Sequence, residues 1–415
     1  MHISTIQDAL QKNNQVLQRF IKYAQLDTAS NPANDACPST PAQLKFAEIL
    51  VQDLKEIGIS DAYVDKKGFV YASLPSNCSS AIKVAFLAHM DVSFDFNSEN
   101  IKPVIHKNYQ GGPLRLSGGL TIDPADNPHL MDCIGESIIT ADGTTLLGAD
   151  DKAGIAEIME MLAFLIKTPE IKRPHIKVCF TPDEEKGTGI NDIDLDKLDA
   201  DFGYTVDGGI YGEVNMENFD AYSGKVTFHG INFHPGHSKG MMVNAIRYAS
   251  RFVELLPAHE TPETTEGRQG FIHPTSIHGD TSSAEVKMLL RAFSLSEIKR
   301  FEEIIRKTTE MLVAQEPRLK VDVEIKESYR NMVEVLKERR EIGTYLEEAA
   351  KNVGLALNHL PIRGGTDGSR LSFMGLPCPN IFTGGVNFHS PKEWISLDKM
   401  VLTTVFLLAL VQSMT

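Results

Sequence analysis

Cysteine is scarce in this chain, long apolar runs are missing and positive charge is never concentrated, and each shortage removes a class of protein. The five cysteines, Cys37, Cys78, Cys133, Cys179 and Cys378, are odd in number and show no Cys-x-x-Cys spacing. Neither a disulfide framework nor a thiolate metal site is expected, and the thiols read as reduced. No stretch approaches the roughly 18 unbroken apolar residues of a membrane span, and the opening residues, Met1 to Asp8, lack the basic and apolar regions of a secretion signal. The expected location is the cytoplasm, with no membrane partner. Lys and Arg number 41 against 55 Asp and Glu, a formal net charge of -14, which argues against nucleic acid because phosphate binding relies on clustered positive charge. Gly111-Gly112, Gly118-Gly119 and Gly364-Gly365 form no strand-to-helix fingerprint, so nucleotide cofactors are not expected either.

What remains is a chain of 415 residues, 42% hydrophobic, long enough for a large core and for two domains. Residues 5–24 and 41–57 read as amphipathic helices, followed by short strands at 62–64 and 70–74. The run Ile82 to Ala88 is almost wholly apolar, as in a strand buried on both faces of a parallel sheet. Helical spacing covers Ala153 to Ile166, and strands are expected at Ile176 to Phe180 and Phe202 to Val206, an α/β order with a mixed, mostly parallel sheet flanked by helices. From Phe219 the pattern changes to strand 221–231, helix 244–256, strands 271–278 and 283–291, helix 296–313 and strand 320–325. That β-α-β-β-α-β order is the ferredoxin-like α+β unit, read as a domain spanning 219–330 inserted into one built from 1–218 and 331–415. Helical spacing resumes over 339–353, and 379–382 reads as a short strand.

Five separated stretches place acids or imidazole at the ends of these hydrophobic runs: His89 and Asp91, Asp150-Asp151, Glu184-Glu185, Asp207, and His389. A hydrolytic zinc pair needs one imidazole and one terminal carboxylate per ion, plus a shared carboxylate and water, and this set supplies them. Taken singly, each has an ordinary explanation. Asp before a helix is commonly an N-cap, adjacent glutamates are commonly a solvated charge run, and Asp-Gly-Gly is commonly a turn. Their shared placement at one end of one sheet favours the metal reading. Which of Glu184 and Glu185 would bind metal and which would move protons is not decided by their adjacency.

The segments Leu146-Leu-Gly-Ala-Asp-Asp-Lys-Ala-Gly154, Phe180-Thr-Pro-Asp-Glu-Glu185, Tyr204-Thr-Val-Asp-Gly-Gly209, Arg363-Gly-Gly-Thr-Asp-Gly368 and Leu376-Pro-Cys-Pro-Asn-Ile-Phe-Thr-Gly-Gly385 resemble the peptidase T family. This is the tripeptide aminopeptidase branch of the dizinc exopeptidases related to glutamate carboxypeptidase and succinyl-diaminopimelate desuccinylase. The resemblance covers almost the whole chain in order, weakening over the first forty residues and around Pro113 to Cys133, and Ser390 stands where close members carry Gly. It implies two zinc ions per subunit, one held by His89 and Asp207, the other by Glu185 and His389, with Asp150 bridging. It further implies Asp91 as the clamp on His89 and Glu184 as general base for attack by zinc-bound hydroxide.

In Asn232-Phe-His-Pro-Gly-His237, the resemblance favours His234 over His237 as a group that reaches the other subunit's site and stabilises the oxyanion. A homodimer through the lid/dimerisation domain at 219–330 follows. Arg291, Asn331 and Arg363 are candidates for holding the polar ends of substrate, since a guanidinium fork suits a carboxylate, although each could equally brace backbone. The expected activity is removal of the N-terminal residue from short peptides with a free N-terminus, chiefly tripeptides. A deacylase or carboxypeptidase acting on N-acylated amino acids is the nearest rival, and a non-catalytic peptide-binding protein on the same fold is another.

Overall fold

The computed structural model describes residues 3–415, which divide into two compact units. The first consists of the chain up to Met216 together with Glu334–Leu360 and Thr366–Thr415, and the second of Glu217–Val333 and Pro361–Gly365.

The apolar run after Ile82 forms strand Lys83–His89, buried from Val84 onward. Parallel neighbours cover both its edges, His175–Thr181 on one side and Phe202–Gly208 on the other, and Asn380–Phe382 continues the parallel set beyond Phe202–Gly208. Val84, Phe86 and Leu87 are at most 1% exposed, and such burial contributes about 1.5–3 kcal/mol per large side chain. Val70–Leu74 and then Tyr63–Val64 extend one edge in antiparallel fashion. At the other edge Glu213–Asn215 pairs antiparallel with Asn380–Phe382, and Asn358–His359 pairs parallel with Glu213–Asn215. The result is the expected mixed sheet with a parallel centre, whose central strands open their carboxyl ends on one side, where open α/β sheets carry their sites.

Helix Ala149–Lys167 packs on the Lys83–His89 and Phe202–Gly208 strands and is buried on nearly every face. Gly154 makes this approach possible: a Cβ there would lie 1.9 Å from the Val206 carbonyl oxygen. Helix Leu397–Ser413, buried from Val401 to Val411 apart from Leu402, packs on Ala149–Lys167 and on Arg340–Val353.

The second unit is a four-stranded antiparallel sheet in the order Phe271–Gly279, Ser283–Ala292, Asp220–His229, Lys320–Tyr329. Alternate residues of Ser283–Ala292, namely Ala284, Val286, Met288, Leu290 and Ala292, are buried, as a sheet with one covered face requires. They join a core with Phe252 of helix Ala245–Leu255 and Ile298, Phe301 and Ile305 of helix Leu295–Gln315. Chain order and strand order together give the ferredoxin-like unit.

Some features differ from expectation. The first predicted helix, 5–24, is two, Ile3–Asn13 and Gln15–Ala24, separated by Asn14 in the left-handed region at φ 50°. Asn tolerates that conformation better than most residues. A second small sheet, Gly385–Val386, Trp394–Ser396, Ile138–Thr140 and Val104–His106, was not anticipated, because strands of two or three residues carry no readable period.

Candidate active site

His89 ends its strand and is 2% exposed. Its Nε2 lies 2.8 Å from Asp150 Oδ1 and 3.3 Å from Asp207 Oδ1, while Nδ1 lies 2.9 Å from the Asp91 carbonyl oxygen and 3.5 Å from Asp91 Oδ1. His389, which follows the Gly385–Val386 strand and holds φ 58°, brings its Nε2 to 3.2 Å from Asp150 Oδ2 and 2.9 Å from Glu185 Oε1. The two imidazoles thus take one oxygen each of a single carboxylate. All five expected metal ligands meet in the first unit.

The framework around them is also carboxylate. Asp91, fully buried, accepts the backbone N–H of Glu184 on Oδ1 at 3.0 Å and of Glu185 on Oδ2 at 3.1 Å, so it fixes the glutamate pair as well as facing His89. The same loop is anchored one residue earlier. Asp183, at φ 54°, accepts from the Ser39 N–H at 2.7 Å, the Gln43 amide at 2.7 Å and the Ser39 hydroxyl. Glu393, buried beside the last imidazole's segment, accepts from the N–H groups of Leu147 (2.7 Å), Gly148 (2.8 Å) and Asp150 (3.1 Å). It therefore ties the Asp150 turn to the His389 segment.

Several residues here escaped the sequence reading in whole or in part. Glu393 and Asp367 gave no spacing signal, and Asp151 was noted only as Asp150's neighbour. Asp151 Oδ2 accepts the His89 N–H at 3.1 Å, and Asp367 accepts the Thr181 hydroxyl at 2.9 Å.

The charges explain why imidazole and carboxylate gather here. Burial alone would lower the His89 pKa, but Asp207, Asp150 and Asp91 reverse this and hold it well above the usual value. Hydrogen bonds to Asp150 and Glu185 hold His389 at about 11. Burial pushes Glu185 up to about 7 and Asp207 to about 6, and raises Glu184 well above the ordinary range. Asp150 goes the other way, its burial outweighed by bonds from His389 and His89. A nest of this kind attracts a cation. Two overlapping donor sets, His89-Asp151-Asp207 and His89-Asp150-Glu185, have their ligand atoms within 4.8 Å of one another. Imidazole nitrogen and carboxylate oxygen are the donors that hydrolytic zinc takes, so the residues fit divalent metal.

The remaining expected residues lie in the second unit. His234 is exposed, its Nδ1 accepting the Gly236 N–H at 3.2 Å, with its ring 5.4 Å from that of His237. Arg291 donates from one guanidinium nitrogen to the carbonyls of Tyr222 (3.3 Å) and Leu290 (2.9 Å). Arg363 donates to the carbonyls of Gly267 and Gln269 and to Thr265, and lies over the rings of Phe219 and Phe271. Asn331 is 1% exposed, donates to the Phe293 carbonyl at 3.1 Å and accepts from the N–H groups of Asn218 and Val333. All three brace backbone within their unit.

Comparison with known proteins agrees with this picture. A peptidase dimerisation domain matches residues 216–318. The chain is 44% identical over 402 residues to peptidase T of Geobacillus sp. (strain WCH70), covering 96% of this chain and 98% of that one. It is 44% identical over 390 residues to peptidase T of Bacillus subtilis (strain 168), covering 93% and 95%. Among solved structures, aminopeptidase PepT from Bacillus cereus superposes with a TM-score of 0.76, covering 97% of this chain and 98% of that one at 19% identity. A tripeptidase from Staphylococcus aureus gives 0.74 over the same shares at 21% identity. The two solved structures speak for the fold alone, while the two relatives match in sequence along nearly their whole length. On that evidence the chain belongs to the peptidase T family.

Proposed function

We propose that the protein is a dizinc aminopeptidase that removes the N-terminal residue from short peptides, tripeptides above all. The observation that carries this reading is the single carboxylate of Asp150 shared between two imidazoles, with Glu184 and Glu185 beside them. His89 and Asp207 would hold one ion, Glu185 and His389 the other, with Asp150 between. Bound there, the ions would polarise the scissile carbonyl and acidify water, which is the chemistry peptide hydrolysis needs at neutral pH.

The chain's own residues supply the rest. Glu184 is raised above the ordinary carboxyl range by burial, which suits a group that takes a proton from the attacking water and gives it to the leaving amine. Asp91 keeps the His89 ring in register and, through two backbone bonds, keeps Glu184 and Glu185 diverging from one point. His234, whose Nε2 has no protein partner among the described residues, would stabilise the oxyanion in the partner subunit of a homodimer formed through residues 219–330. Arg291, Asn331 and Arg363, besides bracing backbone carbonyls, would hold the polar ends of the peptide. The five free cysteines suit a reducing cytoplasm.

The test is a matched series of di-, tri- and tetrapeptides, free and N-acetylated, assayed with the zinc-loaded protein and its Glu184→Gln variant. The reading predicts that free tripeptides are cleaved best and that the variant loses about 10²–10⁴-fold in turnover. Preference for the acetylated series would replace aminopeptidase by deacylase, and full activity in the variant would remove Glu184 as the base.

A further inference from the structure

The bend that follows Asp91 carries Phe94, Asp95 and Phe96 beside the site. Both rings are substantially exposed, 43% and 37%, although an aromatic side chain gains most by burial. Between them Asp95 brings Oδ2 to 3.3 Å from His389 Nδ1, while its side chain remains 60% exposed. Its other oxygen takes no hydrogen bond from the described residues. The bend is held in place: the Asp95 N–H donates to Ser93 Oγ at 3.2 Å, and Asn97 exchanges bonds with the Leu146 N–H (3.0 Å) and the Thr144 carbonyl (3.3 Å), just ahead of Asp150. A fixed, open carboxylate, flanked along the chain by two exposed phenylalanines, therefore touches an expected metal ligand.

That combination suits a cation attached to an apolar group. The carboxylate forms a charge-assisted hydrogen bond with an ammonium, the ring faces attract the same charge, and the rings cover the attached side chain. The first residue of a free peptide has that chemistry, and N-acylation removes the charge. We propose that Asp95, with Phe94 and Phe96, reads the free α-ammonium and the first side chain of the substrate, selecting unblocked peptides over N-acylated ones. This rests on the aminopeptidase reading above and names the residues that choose its substrate class. A carboxylate that only oriented His389 would act on every substrate alike.

Asp95→Asn keeps an acceptor oxygen for His389 while removing the charge, so it separates the two roles. Three measurements on the zinc-loaded protein decide: kcat and KM for a free tripeptide with Leu first, calorimetric affinity for that peptide and its des-amino analogue in a Glu184→Gln background, and bound zinc by plasma mass spectrometry. The expected result is a KM about tenfold higher with kcat changed by less than about twofold. Affinity for the free peptide should fall by a similar factor, with des-amino affinity and zinc content unchanged. Phe94→Ala should weaken the Leu-first peptide more than its Gly-first counterpart. Equal losses for both peptides, or lost zinc with KM unchanged, would overturn the proposal. Wild-type turnover of the free tripeptide is the separate check on the aminopeptidase reading, because the calorimetric comparison judges Asp95 without any cleavage.

Discussion

Glu393 shows how a single buried acid can set a metal centre that it never has to touch. It accepts three backbone N–H groups around the Asp150 turn, and burial pushes its carboxyl up to about 7 even though those bonds pull it down. Glu393→Gln places an amide donor against at least one of these N–H groups. Supporting residues of this kind typically change metal affinity by about 10–100-fold, so zinc titration of the variant should show a loss in that range. Unchanged affinity would make Glu393 a fold residue only. Glu157 offers a pH test away from the ligands. It is fully buried, neither oxygen has a partner among the described residues, and burial raises its pKa well above 4.5. The folded state then keeps a proton that the unfolded chain releases. The associated stability is fully present below the unfolded value, about 4.5, and is lost as pH rises through the folded one. Glu157→Gln should therefore melt higher than wild type at pH 8 and close to it near pH 4; a gap of equal size at both pH values would contradict this. The proposed ligands and Glu184 were legible because they punctuate hydrophobic runs, and Asp151 as the second member of the Asp150-Asp151 pair, whereas Glu393 and Asp367 were not. Glu393 binds backbone N–H groups more than two hundred residues away and Asp367 a distant hydroxyl, and such partners leave no local spacing.

At the scale of elements, the helix that begins at Ala149 must touch the strand that carries Asp207, and Gly154 sets how close it comes. A methyl group at 154 would meet the Val206 carbonyl at 1.9 Å and the Asp151 carboxylate at 2.5 Å. Gly154→Ala should therefore destabilise the fold by at least the 1–3 kcal/mol usual for overpacking, read as a lower denaturant midpoint, despite alanine's better helix propensity. A more stable variant would show that the contact relaxes freely. The strands that carry ligands were readable as apolar runs, and the alternating strands of the second unit as a ferredoxin-like order. Helix Leu397–Ser413 was missed for the opposite reason: buried on nearly all sides, it has no polar stripe and hence no helical period. The break at Asn14 was equally silent, since apolar spacing continues through it.

For the whole molecule, the dimerisation-domain match and the exposed His234 make assembly part of the chemistry in our proposal. His234→Ala should lower turnover about 10²-fold with zinc content intact. Mixing it with Glu184→Gln and allowing subunits to re-pair should restore activity, because each mixed dimer holds one site with both groups; random pairing gives roughly a quarter of the wild-type rate. No recovery would place His234 in its own subunit's site or outside the mechanism. Zinc loading should release protons, since His89 and His389 are both held protonated by their carboxylates, and apparent affinity should rise with pH. The most direct test of the central claim uses one tripeptide in free and N-acetylated form, with the zinc-loaded protein before chelation, after it and after zinc is returned. The account predicts cleavage of the first peptide bond in the free form alone, abolished by chelation and restored by zinc. Cleavage that survives complete metal removal, or that prefers the acetylated peptide, would contradict it.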